Sequence, residues 1–130
     1  MKRLFLDTNV FNDSAILRKL REEVEKGATS VFVNAIVYLE LGFIFQVRNR
    51  MRVFSKLFTE LKIYCFSITK ETAELGITIA ERFKDDPRGP QYFFRDSFIA
   101  ATVKLENLVL ITKNIVDFPS INSKYSDLSN

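Results

Sequence analysis

The chain alternates short apolar runs with longer helical segments, and this alternation is the feature that most narrows its fold. The apolar runs predict four strands, over residues 3–6, 31–33, 63–66 and 108–111. One or two helical segments separate each strand from the next. Strands joined in this way pair in parallel, because a parallel connection needs a crossover of about a dozen residues or more. The order therefore predicts an α/β fold in which helices cover a central parallel sheet.

Apolar periodicity and capping residues predict five helices. Gly27 ends the first, over 14–26, because glycine readily adopts the left-handed conformation that follows a helix. Asn34 and Thr69 are good N-caps for the second and the fourth. The second helix, over 36–47, is apolar nearly all round, which predicts burial on more than one side. The third and the fifth are predicted over 51–61 and 92–105.

The length and the cysteine content bound the organisation of the chain. One hundred and thirty residues fit one domain, so we expect a single domain over 1–130 with a polar tail from about residue 120. Asp7 interrupts the first apolar run, and no run reaches the ~18 residues of a membrane span. The lone Cys65 cannot form an internal disulfide. We therefore expect a cytoplasmic protein without a membrane segment.

Histidine is absent, and this excludes several kinds of chemistry. There is no imidazole for general acid–base catalysis and no Ser/His or Cys/His nucleophile pair. With one cysteine and no histidine, a structural zinc site is essentially excluded. The remaining side chains for catalysis are carboxylates, hydroxyls, amides, lysine and arginine. Oxygen ligands of this kind suit hard cations, chiefly Mg²⁺ or Mn²⁺.

Four acidic residues stand in apolar surroundings. Asp7 follows the first predicted strand and Asp117 follows the fourth, while Glu40 and Asp96 lie within apolar helices. In open α/β sheets, ligands bind beyond the carboxyl ends of the strands. Carboxylates among apolar side chains must be paired or neutralised, and a divalent cation would do so. Without the cation, we expect at least one raised carboxyl pKa, because like charges disfavour one another.

A stretch of positive charge without any acid follows the second predicted helix. It consists of Arg48, Arg50, Arg52 and Lys56. Such a stretch can bind a phosphate backbone. It can equally be a solvated helix face. Net charge does not decide between the two, because +3 is only mildly basic.

Four short segments, taken in order, resemble the PIN-domain family. More narrowly, they resemble the VapC-type toxins of bacterial and archaeal toxin–antitoxin pairs. The segments are LDTN at 6–9, YLEL at 38–41, DSFIAAT at 96–102 and ITKNIVDF at 111–118. The resemblance extends from residue 2 to about residue 119, and it rests on the order of the segments rather than on any one of them.

The resemblance implies a three-layer α/β/α sandwich with a central parallel sheet and a Mg²⁺- or Mn²⁺-dependent endoribonuclease activity. Carried over by position, the acidic quartet is Asp7, Glu40, Asp96 and Asp117. Asp7 and Asp96 are the first candidates for metal ligands, with Glu40 and Asp117 as further candidates. Asn114 is expected near the metal, and the fourth site residue is either Asn114 or Asp117.

The resemblance also implies supporting residues and partners. Thr8 and Asn9 are expected to support Asp7, and Thr112 to hold the acidic residues by hydrogen bonds. RNA is the expected substrate and a homodimer the expected assembly. A small antitoxin protein is the expected partner. It would lay a helix and a tail across the pocket and bring a cation such as Arg to the acids.

Three other functions compete with this interpretation. A haloacid-dehalogenase-type phosphatase would need a second Asp two residues after the first, where this chain has Asn9. A receiver domain would need paired acids near its start, and the late Lys113 alone does not make one. A non-catalytic RNA- or protein-binding module of the same fold remains open. Metal binding separates it from the nuclease, because the nuclease should bind Mn²⁺ through Asp7 and Asp96.

Each acid also has a purely structural interpretation. Asp7 is a favourable N-cap for a helical turn after the first strand. Glu40 can pair with a basic residue, Asp96 can pair with Arg95, and Asp117 can be a turn residue.

Overall fold

A computed structural model describes residues 1–113 of the chain. Its sheet has four parallel strands in the order β3-β2-β1-β4. They are β1 (Lys2–Leu6), β2 (Thr29–Asn34), β3 (Tyr64–Phe66) and β4 (Val109–Ile111). The predicted parallel sheet is confirmed. The prediction made β2 too short, because Thr29 already pairs with Lys2 although it lies outside the apolar run.

Five α-helices connect and cover the strands. They are α1 (Ser14–Glu25), α2 (Ala35–Val47), α3 (Met51–Glu60), α4 (Lys70–Glu81) and α5 (Phe94–Leu105). Parallel crossovers are right-handed, so this strand order places α1, α2 and α3 on one face of the sheet and α4 and α5 on the other. The result is a three-layer α/β/α sandwich, and the predicted architecture is confirmed. No helix within residues 1–113 is long and apolar enough to cross a membrane.

The predicted helix ends are confirmed at three positions. Gly27 has a φ of 72°, and α1 ends two residues before it. The Asn34 side chain accepts a hydrogen bond from the backbone N–H of Val37, at 3.1 Å, and caps α2. Thr69 caps α4 in the same way. Local chemistry therefore sets these boundaries.

The helix predicted over 92–105 is wrong at its start. A 3-10 helix covers Pro90–Phe93, and α5 begins only at Phe94. Gly89, with a φ of 86°, turns the chain immediately before Pro90, and proline is favoured in the first turn of a helix. The tighter turn is continuous in sequence with α5, so apolar periodicity alone does not separate the two.

The prediction that the second helix is buried on more than one side is also wrong. Only Val37 and Leu41 of α2 are buried. Leu39 is 71% exposed, and Phe43 and Val47 are each 67% exposed. Contiguous exposed apolar surface of this kind is typical of an interaction site. The apolar composition of α2 therefore reflects an open surface as well as the core.

The core lies on both sides of the sheet. Phe5 and Leu6 of β1 and Leu110 and Ile111 of β4 are almost completely buried. β1 lies inside this sheet and β4 at its edge, yet both are packed into the core. The side chains that follow them are therefore positioned by a packed scaffold.

Candidate active site

Asp7 lies where β1 ends, at the point where the connections of the sheet reverse direction. The chain leaves β1 toward β2 on one side, while β4 pairs with β1 on the other. Crevices at such switch points are the usual ligand sites of open α/β sheets. The Asp7 carboxylate is 2% exposed, and its backbone N–H donates to the carbonyl of Ile111, at 3.0 Å.

Hydroxyl and amide groups around Asp7 fix its carboxylate. The Thr112 hydroxyl donates to Asp7 Oδ2, at 2.8 Å, and the backbone N–H of Thr8 donates to Oδ1, at 2.7 Å. The backbone N–H of Lys113 donates to Asn9 Oδ1, at 3.2 Å. Asp7 also caps a 3-10 helix over Thr8–Asn12, so its structural interpretation holds as well. The ends of β1 and β4 are therefore tied together around this carboxylate.

Two helices bring further carboxylates to the same edge. Asn34, the last residue of β2, starts α2 at the carboxyl edge, and Glu40 follows on that helix. Asp96 lies in the first turn of α5 and is 9% exposed. The Thr8 hydroxyl donates to Glu40 Oε1. The structure thus brings together three of the four acidic residues predicted for the site.

One guanidinium contacts all three carboxylates. Arg95 donates to Glu40 twice, from Nε to Oε2 at 2.7 Å and from Nη2 to Oε1 at 2.8 Å. Its Nη2 also donates to Asp7 Oδ1, at 2.6 Å, and its Nη1 donates to Asp96 Oδ1, at 2.8 Å. We name Asp7, Glu40, Asp96 and Arg95 the acidic centre.

Sequence reasoning missed most of the role of Arg95. It treated this residue only as a pairing partner for Asp96, and that pairing is present. The contacts to Asp7 and Glu40 join residues 88 and 55 positions apart, which no local pattern records. One feature of the sequence could have indicated this role. Three acidic residues with apolar neighbours need a positive counter-charge, and Arg95 is adjacent to one of them, Asp96.

The arginine changes the electrostatics of the carboxylates. Burial opposes the charge of Glu40, but hydrogen bonds from Arg95 and Thr8 hold its pKa below the ordinary value. Burial likewise opposes the charge of Arg95, but Glu40 and Asp7 raise the pKa of its guanidinium. The raised carboxyl pKa that the sequence predicted is not found at Glu40, because Arg95 gives this carboxylate a counter-charge and hydrogen bonds.

The donors of the acidic centre suit a hard cation, but an arginine lies among them. Three carboxylates and the Thr8 hydroxyl converge on one positive group, and oxygen ligands of this kind bind Mg²⁺ or Mn²⁺. Within residues 1–113, no three acidic, cysteine or histidine side chains are spaced to hold a metal ion. The types of oxygen ligand therefore suit a divalent metal, whereas the distances between these oxygen atoms in the structure suit a guanidinium.

The acidic centre opens into a cavity of about 750 Å³ that also contains basic and apolar groups. Arg48 and Arg50 line it together with Asp7 and Glu40. Its apolar wall comes mainly from Phe43, Ile44, Phe45 and Val53. Of the four basic residues singled out in the sequence, Arg52 and Lys56 do not line it, and Lys56 pairs with Glu60 at 3.7 Å.

Two predicted site residues, Asn114 and Asp117, lie outside the described residues. The fourth position of the quartet therefore stays a prediction. Thr112 and Lys113, immediately before them, are placed beside Asp7 and Asn9.

A parallel sheet with carboxylates gathered at its switch point defines an α/β protein whose candidate site lies at the carboxyl edge of the sheet. A family model described as the PIN domain matches residues 4–122. The match spans most of the sequence, and the chain belongs to the PIN-domain family.

Solved structures share the fold at low sequence identity. DNA-bound VapBC from Salmonella typhimurium gives a TM-score of 0.71 at 19% identity and covers 98% of this chain and 99% of that chain. VapBC-1 from nontypeable Haemophilus influenzae gives a TM-score of 0.70 at 20% identity, and the match again covers 98% of this chain and 99% of that chain. A toxin–antitoxin complex from Klebsiella pneumoniae gives 0.68 at 20% identity and covers 92% of each chain. Comparison with curated proteins gives no match.

Proposed function

We propose that this PIN-domain chain is a metal-dependent endoribonuclease of the VapC type. The observation that carries the proposal is the convergence of Asp7, Glu40 and Asp96 at the switch point of the sheet. Membership of the PIN-domain family supports nuclease chemistry. The similar folds of VapBC proteins support the toxin assignment.

The proposed roles follow from the contacts of each side chain. Asp7 and Asp96 hold the metal, and Glu40 completes the carboxylate set, with Asn114 or Asp117 at the fourth position. The hydrogen bond from the Thr112 hydroxyl and the one from the Thr8 backbone N–H keep the Asp7 carboxylate oriented. When bound, Mg²⁺ or Mn²⁺ supplies an activated water and neutralises charge on the phosphate. Hydrolysis by water leaves a 5′-phosphate and a 3′-hydroxyl.

Arg48 and Arg50 are the proposed contacts to the RNA backbone. Both line the cavity that contains Asp7 and Glu40, so a strand that reaches the acidic centre passes them. Fixed positive charge beside a carboxylate cluster also offsets the repulsion between those acids and the phosphates. Arg52 and Lys56 are better described as a solvated helix face.

The exposed apolar face of α2 is the proposed contact for an antitoxin. Phe43 and Ile44 belong both to this face and to the cavity wall. A partner helix on α2 could therefore extend a tail toward the acidic centre. A basic residue on that tail would need to replace Arg95, which already contacts the acids. A homodimer and a cytoplasmic location complete the proposal.

The activity is tested by incubating the purified protein with a pool of structured RNAs in Mg²⁺, in Mn²⁺ and in EDTA. The proposal expects cleavage in either metal, none in EDTA, and products with 5′-phosphate ends. Cleavage that persists in EDTA, or products with 2′,3′-cyclic phosphate ends, would contradict it. The toxin assignment is tested separately by induced expression in a bacterial host. Growth should stop with the wild type and continue with Asp7→Asn, and equal growth would argue against a toxin.

A non-catalytic binding module is the second candidate. It is favoured by the three salt bridges through which Arg95 already contributes a counter-charge to the three carboxylates. An acidic centre with an internal cation can serve as a structural ion-pair network. Mn²⁺ binding separates the two candidates, because the module does not require it.

A further inference from the structure

The charge balance of the acidic centre is unusual for a metal site. A metal-binding carboxylate cluster ordinarily relies on the metal for its counter-charge. Here Arg95 supplies a permanent positive charge from within the chain, at 2.6–2.8 Å from a carboxylate oxygen of each of the three acids. The same carboxylate oxygens would be the metal ligands under the proposed function.

We propose that Arg95 is the resident cation of the acidic centre and that a divalent metal binds there only when the guanidinium leaves. Arg95 and the metal then compete for the same oxygen atoms, and this one side chain sets the metal affinity of the protein. The inference rests on the proposed function in one respect, namely that these carboxylates bind a metal.

The position of Nη2 is the first argument for competition. This nitrogen donates to both Asp7 Oδ1, at 2.6 Å, and Glu40 Oε1, at 2.8 Å. A divalent ion ligated by both of these oxygen atoms would have to take over the oxygen lone pairs that now accept the hydrogen bonds from Nη2. A guanidinium that stayed in place would also repel a divalent ion at contact distance.

The surroundings of Arg95 allow it to leave without unfolding the core. Its side chain is 33% exposed and lines the open cavity, whereas Asp7 is 2% exposed. Thr112 and the Thr8 backbone hold Asp7 independently of the arginine. The departing group is thus the more solvent-exposed of the two, and Asp7 stays in position to bind an ion.

Isothermal titration with Mn²⁺ tests the competition, using wild type, Arg95→Gln and Arg88→Gln. The Arg88 variant is the matched control, because it removes the same charge from a residue paired with Asp86 in an exposed loop. We expect Arg95→Gln to bind Mn²⁺ about tenfold more tightly than wild type and Arg88→Gln to bind like wild type. Equal or weaker binding by Arg95→Gln would overturn the inference while leaving the nuclease proposal intact.

Two further outcomes are separable. Absence of Mn²⁺ binding in both wild type and Arg95→Gln would overturn the metal site, and the proposed function with it. If Arg95→Gln does not fold, the competition is tested on the wild-type protein. The NMR signals of its arginine Nε–H groups are followed during a Mg²⁺ titration. The Arg95 signal should shift to that of a solvated arginine at saturation. A saturated protein whose Arg95 signal is unchanged would contradict the competition.

Discussion

Arg95 binds Glu40 through both Nε and Nη2, and this two-point contact joins α5 to α2 across the carboxyl edge of the sheet. Planar guanidinium and carboxylate groups that pair in this way are oriented as well as attracted. The two residues lie 55 positions apart, so the contact fixes the relative placement of two helices that each carry an acid of the centre. The acidic centre therefore also links α2 to α5.

The metal-free protein should lose stability when the arginine is removed. Arg95→Gln leaves Asp7, Glu40 and Asp96 close together without their cation, and like charges then oppose folding. We expect the free energy of unfolding in EDTA to decrease by about 1–2 kcal/mol. The decrease is smaller than for a fully buried ion pair, because the Arg95 side chain is 33% exposed and solvent weakens its salt bridges. Urea denaturation measures it, and Mg²⁺ should restore part of the loss. A variant as stable as wild type in EDTA would show that the cluster needs no counter-charge.

Arg50 should matter for RNA binding more than its neighbour Arg52. Arg50 lines the cavity that holds the acidic centre, and Arg52 does not. Arg50→Gln should weaken RNA binding and reduce the slope of log affinity against log salt by about 1, as expected for the loss of one phosphate contact. Arg52→Gln is the matched control. Filter binding with Asp7→Asn protein avoids cleavage, and equal effects of the two substitutions would place the RNA elsewhere.

Asn34 should be among the polar residues most important for stability. Its side chain caps α2 by accepting from the Val37 N–H and donates to the Thr102 hydroxyl of α5, at 3.1 Å, in a fully buried position. Asn34→Ala removes both bonds and leaves buried groups unsatisfied, so we expect a loss of about 2–3 kcal/mol. Thr69→Ala, at a more exposed cap, should cost about 1 kcal/mol. Similar losses in urea denaturation would indicate that the Thr102 contact contributes nothing.

Asp13 should give the folded state a specific acid sensitivity. The backbone N–H of Ile16, with Lys113 and the Ala15 N–H, holds the pKa of Asp13 below its ordinary value. Because the pKa of Asp13 is lower in the folded state than in the unfolded state, its ionised carboxylate stabilises the protein at pH values above the unfolded-state pKa. This stabilisation is lost as the pH falls through the folded-state pKa. The stability difference between wild type and Asp13→Ala should therefore be constant at neutral pH and shrink below about pH 4.

Asp13→Asn is the control for this pH dependence. Asparagine also caps helices, so most of the stability at neutral pH should remain, without the acid-sensitive part. Urea midpoints measured from pH 7 down to about pH 3 compare the three proteins. A difference between wild type and Asp13→Ala that persists unchanged to the lowest pH would rule out the ionised cap.

The sequence predicted those parts of the fold that depend on local chemistry. Asn34 and Thr69 cap helices with their own side chains, and Gly27 adopts the conformation that ends one. The position of Asp7 after an apolar strand was enough to place it at the carboxyl edge of a parallel sheet. These features need only neighbouring residues and the alternation of strands and helices.

Most of the predictions that failed concern contacts between segments that are distant in the sequence. The burial of α2 could not be predicted from composition, because an apolar helix against a partner surface and one in the core have the same residues. The role of Arg95 depends on the convergence of α2, α5 and β1, which is a property of the tertiary structure. The helix predicted over 92–105 also included Tyr92 and Phe93, which belong to the tighter 3-10 helix.

The proposed function requires that RNA is hydrolysed at the acidic centre with the help of a divalent metal. Its most direct test is the single-turnover rate of RNA cleavage by wild type, Asp7→Asn and Asp86→Asn, each in Mg²⁺ and in EDTA. Asp86 is the control, because it lies in an exposed loop and pairs with Arg88. We expect Asp7→Asn to lower the Mg²⁺-dependent rate by about a thousandfold and Asp86→Asn to leave it unchanged. Cleavage by Asp7→Asn at the wild-type rate would contradict it.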